Sequence, residues 1–277
     1  MTMSTLLLPG VSTIGAIVAA MAVVASIETA IPLHARGRWN RVHLAPNLLL
    51  TLITFATNVF FNGALVMTLV WLESNQWGLV HRLSAAPIVT GAIVVVVLDF
   101  SFYVAHVAMH KIPGFWRVHS VHHSDPAVDV TTTVRQHPVE GVIRYAFMGA
   151  FACALGAGPG AFAVYRAWSA LNGLLEHANI RVPRWLDQLL SLVTTWPNMH
   201  KVHHSRTTSQ SNTNYGNIFS FFDRLFRTFT PAKHGASIVY GLDGLDDAAT
   251  QTTGGLLALP FRHATAPATT LLAPQRS

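Results

Sequence analysis

Ten histidines lie between residues 106 and 204, most at short repeated spacings. A neutral imidazole is a common ligand for iron, zinc, copper and nickel. His106-Val-Ala-Met-His110 has an i, i+4 spacing, which puts both rings on one helical face. His119-Ser-Val-His122-His123 and His200-Lys-Val-His203-His204 share a second pattern, with i, i+3 and i, i+4 relations that let a helix aim its rings at one point. Pro197 is well placed to open the helix of the third group. Without a metal, eight such imidazoles packed together would leave many buried donors and acceptors to satisfy. His137, in Arg135-Gln-His137-Pro138-Val-Glu140, and His177, in Glu176-His177-Ala-Asn179, are further candidates whose spacing alone does not separate a ligand from an ordinary polar side chain. His34, His43, His81, His234 and His263 are scattered and read as loop residues.

The number of ligands points to two metals with four or five imidazoles each. No HExxH motif is present, which argues against a membrane zinc protease. Haem would take single, well-separated axial histidines. A two-metal site in an apolar chain suits O₂ activation better than hydrolysis.

The elements that must position these residues are membrane helices. Only 11% of the 277 residues are charged and 51% are hydrophobic, against about 25% charged in a soluble domain. Residues 6–27 and 48–72 are uncharged spans long enough for a hydrocarbon core of about 30 Å. For the first, a signal peptide is disfavoured, because no basic stretch precedes it. Residues 85–98 open a third span that continues as helix through His106 and His110. Pro138–Leu155 and 161–178 read as a membrane hairpin with the breaker Gly156-Ala157-Gly158-Pro159-Gly160 at its tip. The fold expected is an all-α, multi-pass membrane bundle. Its divisions are residues 1–84 (two spans), 85–230 (histidine-rich region with the hairpin) and 231–277 (an extension whose end, from about 263, is expected to be disordered).

Arg36, Arg38 and Arg41 follow the first span, whereas the loop after the second offers Arg82. The positive-inside rule then puts the N-terminus outside. It also brings His106, His110, the hairpin mouths at His137 and His177, and the last group together on the cytoplasmic face. In so apolar a chain the net charge of +6 fits cytoplasmic loops and anionic headgroups rather than nucleic acid. The single cysteine, Cys153, excludes an internal disulfide and a thiolate cluster.

The order HxxxH, HxxHH, HPxE, HxN, HxxHH, then Asn214-Tyr215-Gly216, resembles the fatty acid hydroxylase / sterol desaturase superfamily over roughly residues 99–228. The resemblance implies two non-haem irons held at the ten histidines, O₂ as co-substrate, a lipid substrate and electrons from a separate protein. The first box carries Val107 where the family often has a basic residue, and the late segment reads Phe222-Asp223-Arg-Leu-Phe226-Arg227-Thr228. HxxxH in the first box, in place of HxxxxH, favours hydroxylation over desaturation. A histidine-rich metal transporter or buffer is the reading from another class. It would spread its ligands through the bilayer depth.

Ligand histidines usually donate their second N–H to a carboxylate or carbonyl. Asp99, seven residues before His106, is the first candidate for that role, followed by Glu140, Glu176, Asn179 and Asp223. Asn198 could cap a helix or serve the site, and Tyr103 and Tyr215 could line the pocket or pack in the core. Neither an HPGG segment nor a GxGxxG fingerprint is present, so an external electron donor is expected. The particular lipid and the oligomeric state are not legible.

Overall fold

The computed structural model describes the backbone of residues 3–35 and 38–262, and side chains over 15–35 and 42–262 except His234. Among the described residues the regular structure is helical. The helices are α1 (Met3–Ala30), α2 (Arg38–Ser74), α3 (Pro87–Lys111), α4 (Pro113–His123), α5 (Pro138–Leu155), α6 (Pro159–His177), α7 (Arg184–Leu190), α8 (Pro197–His203), α9 (Thr208–Ser211), α10 (Phe221–Leu225) and α11 (Thr253–Ala258).

Proline sets most of the helix starts that matter. Pro87, Pro113, Pro138, Pro159 and Pro197 each open a helix, where the missing N–H costs nothing and the fixed φ is already helical. Pro113 also ends the helix before it. Ile112, forced out of the helical region by the following proline, is extended (φ −94°, ψ 117°) and is the only residue between α3 and α4. The two histidine-bearing helices therefore meet at one corner.

The α5–α6 connection forms a tight hairpin. Gly156 adopts the left-handed conformation (φ 69°) that closes α5, and Ala157 N–H bonds back to the Ala152 carbonyl. A side chain on Gly156 would meet the Trp77 carbonyl at 2.0 Å, and one on Gly78 would meet Gly156 Cα at 2.3 Å. The hairpin tip is thus locked against the α2–α3 loop by two glycines.

Among the described residues, three helical stretches are long and apolar enough to cross a membrane: Val42–Ser74, Pro87–Lys111 and Pro138–Leu155. Their packed core joins Leu65, Leu69 and Leu72 of α2, Val94, Val95 and Leu98 of α3, Tyr145, Met148 and Ala152 of α5, and Phe162 and Tyr165 of α6. Phe60 (72% exposed) and Ile88 (81%) face outward, as lipid-facing side chains do. α6 carries Arg166 and Glu176 and is not among the three stretches, although it completes the bundle. α1 packs Met21 and Val24 on Leu174 and Ala178. The expected first span, 6–27, falls within α1, but its side chains before Gly15 lie outside the described residues. The expectation of disorder over 263–277 also lies outside them. His43, expected in a loop, is instead inside α2 and 1% exposed. The second span begins earlier than its apolar run, because buried polar partners accept His43 and Asn47.

Candidate metal centre

His106 and His110 sit in the last turns of α3. His119, His122 and His123 follow on α4, His177 ends α6, and His200 and His203 lie on α8 with His204 just past it. α3 and α6 therefore bring their C-terminal ends together, and α5 starts at the same end. The structure sorts nine of the ten histidines into two buried groups. His106, His110, His119, His123 and His203 form one, and His122, His177, His200 and His204 the other. Within each group the ligand nitrogens lie within 4.8 Å of one another. The groups adjoin: the His123 and His204 rings, one from each, stack with centroids 4.6 Å apart.

Backbone carbonyls determine which nitrogen faces inward. A carbonyl can only accept, so an Nδ1 facing one must carry the proton and leave Nε2 a bare lone pair. His106 Nδ1 donates to the Tyr215 carbonyl (2.9 Å) and His203 Nδ1 to that of Thr213 (2.8 Å). His177 Nδ1 donates to Gly173 (2.8 Å) and His122 Nδ1 to Arg135 (3.3 Å). The Nε2 atoms of His122, His200 and His204 then lie 3.2, 3.1 and 3.2 Å from Nε2 of His177. His177 and His122 meet lone pair to lone pair, which is repulsive with nothing between them. A metal–imidazole bond of about 2.1 Å places ligand nitrogens roughly 3.0–3.4 Å apart, so the observed spacing fits a cation at the common point. In the first group, Nε2 of His106, His110 and His203 is buried with no hydrogen-bond partner.

Protonation favours the same reading. Burial, reinforced by the neighbouring imidazoles, holds His119, His122, His123, His200 and His204 well below the ordinary imidazole range. Burial brings His203 down to about 4. The cluster is therefore neutral near pH 7, the state a metal requires.

His137 stands outside both groups. Its Nδ1 accepts the Val139 N–H (3.2 Å) as the N-cap of α5, and its Nε2 faces the Leu257 carbonyl (3.2 Å). Its ring is committed at both nitrogens, so the expected tenth ligand is instead a helix cap.

The candidate supporting acids divide. Glu140 Oε2 is 3.1 Å from His119 Nδ1, at ion-pair distance but not aligned for a hydrogen bond. Glu176 Oε1 lies 3.8 Å from His177 Nδ1 and 3.9 Å from His200 Nε2. Asp99 touches no ligand ring. Its carboxylate accepts the backbone N–H of Ile218 and Phe219 (3.1 and 2.9 Å), which ties the 214–219 loop to α3. Asp223 accepts the N–H of Tyr215 and Gly216 (2.8 and 2.9 Å). These two acids act one bond further out, by holding the loop whose Tyr215 carbonyl orients His106. Asn179 also stands away from the rings and exchanges two 2.9 Å hydrogen bonds with the His34 backbone. Asn198 lies on α8, and Tyr103 and Tyr215 pack together with Phe222.

Sequence reading missed a buried network behind His122. Arg135, fully buried, donates to the Val121 carbonyl, Asn47 Oδ1, Ser124 Oγ and Gln251 Oε1 at 2.8–2.9 Å, while its own carbonyl accepts His122. Asp125 joins it, 2.8 Å from His43 Nδ1 and 2.9 Å from Asn47 Nδ2. The only local signal was an arginine and an aspartate flanking histidine motifs. Their partners lie up to 116 residues away.

A cavity of about 140 Å³ runs from His106, His119, His122, His177 and His200 into the bundle between α2, α3, α5 and α6.

Residues 91–228 match the family model described as fatty acid hydroxylase, and both histidine groups fall inside that stretch. The chain is 32% identical to an alkylglycerol monooxygenase of Caenorhabditis elegans over 52% of this chain and 28% of that protein. It is 32% identical to an ornithine lipid hydroxylase of Rhizobium tropici over 54% of this chain and 44% of that protein. It is 30% identical to a very-long-chain aldehyde decarbonylase of Oryza sativa subsp. indica, over 54% of this chain and 23% of that protein. The chain spans less than half the length of each of these relatives. No solved structure matches. Through residues 91–228, the stretch that holds all nine convergent histidines, the chain belongs to the fatty acid hydroxylase superfamily.

Proposed function

We propose that this chain is a membrane-embedded, O₂-dependent oxygenase that hydroxylates a lipid at a C–H bond using two non-haem irons. The observation that carries this reading is the convergence of nine buried imidazoles into two adjoining groups that open onto one cavity. His106, His110, His119, His123 and His203 would hold one iron, and His122, His177, His200 and His204 the other. When bound, the irons supply O₂ activation, in the overall balance RH + O₂ + 2e⁻ + 2H⁺ giving ROH + H₂O, chemistry that no side chain here provides.

The chain's own residues orient, exclude water and place the substrate. The carbonyls of Tyr215, Gly173, Thr213 and Arg135 hold their imidazoles in one tautomer, and Glu140 lies at ion-pair distance from His119. The apolar bundle keeps bulk water from the cavity. Electrons come from a donor outside these 277 residues. The histidine end lies at the cytoplasmic interface, on the strength of the arginines between α1 and α2.

Desaturation would use the same site, with a product that lacks two hydrogens. The hydroxylase and monooxygenase named among the relatives favour oxygen insertion. The ligands gather at one end of the bundle, which disfavours a transporter.

Metal analysis of purified protein should find close to two firmly held irons per chain. Mass spectrometry of expressing cells should show a lipid that gains one oxygen, and His200→Ala should abolish it. Loosely exchanging metal together with no O₂-dependent product would overturn the proposal.

A further inference from the structure

The cavity that adjoins the histidine groups is not a plain hydrocarbon slot. Arg144 of α5 and Arg166 of α6 both line it, together with the carboxyls of Glu140 and Glu176, and both arginines are half-buried. Guanidinium groups within an apolar bundle are costly unless they are matched. Arg144 is matched: it lies 3.7 Å from Glu140 Oε1 and 4.3 Å over the Phe102 ring. Arg166 is not. Its hydrogen-bond partner is Tyr145, whose hydroxyl accepts from it at 3.2 Å and whose ring lies 5.3 Å beneath it. Among the described residues no carboxylate lies within ion-pair distance of Arg166. A hydrocarbon tail would not satisfy the Arg166 guanidinium.

We infer that the cavity binds an anionic group of the substrate, a carboxylate or a phosphate, with Arg166 as its counter-ion and Arg144 beside it. This rests on the hydroxylase reading and narrows it to lipids with an acidic group. Tyr145 holds the Arg166 guanidinium toward the cavity, so the fork is oriented before the ligand arrives. Glu140, which touches His119, is one turn from Arg144, and Arg166 is eleven residues before His177. The helical rise puts the Arg166 backbone about 16 Å along α6 from that of His177. The oxidised carbon then lies a fixed number of bonds from the acidic group, and Arg166 sets the register.

The test uses matched twelve-carbon probes on purified, iron-loaded protein: dodecanoate, dodecyl phosphate and dodecanol. Equilibrium binding should favour one or both anions over the alcohol by about tenfold or more. The better of the two identifies the acidic group as carboxylate or phosphate. Arg166→Gln should bring the anion's affinity down to that of the alcohol while leaving alcohol binding and iron content unchanged. Arg166→Lys should retain part of the preference. If Arg166→Gln does not fold, the wild-type preference and the lysine variant still decide. Equal binding of anions and alcohol by wild type, or an undiminished preference in Arg166→Gln, would overturn the inference. Failure of the hydroxylase reading would show differently, as anion preference in a protein without tightly held iron or O₂-dependent product.

Discussion

His177 is the residue on which the four-histidine group turns, because the other three imidazoles all approach its Nε2. His177→Ala should therefore lower iron content by about half and reduce product formation by 10²-fold or more, since the metals carry the chemistry. His137→Ala makes the contrasting case. It should leave iron content at the wild-type level and cost about 0.5–2 kcal/mol of stability through the lost cap of α5. Metal analysis and thermal denaturation of the two variants separate ligand from cap. Arg135 differs from both: cutting it to Ala leaves the buried side-chain oxygens of Asn47 and Gln251 without their donor, and about 1–3 kcal/mol of destabilisation is expected for each.

Asp125 also gives a pH dependence. Burial alone would raise its pKa, but the His43 and Arg135 charges and the hydrogen bonds from His43 and Asn47 hold it well below the carboxylate range. A carboxylate whose folded pKa is depressed stabilises the fold above its unfolded pKa and loses that contribution as pH falls toward the folded value. Thermal stability should therefore drop below about pH 4. In Asp125→Asn that part of the drop should be absent, from a lower starting stability.

At the scale of elements, the corner at Ile112–Pro113 and the glycine-locked hairpin tip do the positioning. Gly156→Ala asks an L-residue to take φ 69° and places its Cβ 2.0 Å from the Trp77 carbonyl. Several kcal/mol of destabilisation are expected, about 1–3 kcal/mol from the backbone conformation and more from the clash. Denaturation of the purified variant measures it. The second and third spans and the first arm of the hairpin were legible because uncharged runs and proline starts are local signals. The boundary of α2 was not, since its extension through His43 and Asn47 depends on Asp125 and Arg135, which are distant in sequence.

At the scale of the whole molecule, the prediction concerns sidedness. Asn75 lies in the exposed α2–α3 connection at the hairpin-tip end, and Asp243 is exposed beyond the last helices of the site. In a Cys153→Ser background, Asn75→Cys should react with an impermeant maleimide added to intact cells. Asp243→Cys should react only after permeabilisation. The reverse pattern would invert the proposed orientation, although the metal site would be unaffected.

The spacing of His106, His110, His119, His122, His123, His200, His203 and His204 was enough to identify a cluster, because helical periodicity makes i, i+3 and i+4 neighbours share a face without help from the rest of the fold. The same local logic could not divide the cluster. Adjacent His122 and His123 join different groups, as do His203 and His204, because successive side chains on a helix point about 100° apart and the surrounding helices decide what each one meets. Tertiary structure also brought His177 in and left His137 out, and turned Asp99 from a partner of imidazoles into a clasp for the 214–219 loop. Those outcomes depend on backbone carbonyls and loops that arrive from distant parts of the chain, and a hydrogen bond to a main-chain atom leaves no trace in side-chain spacing.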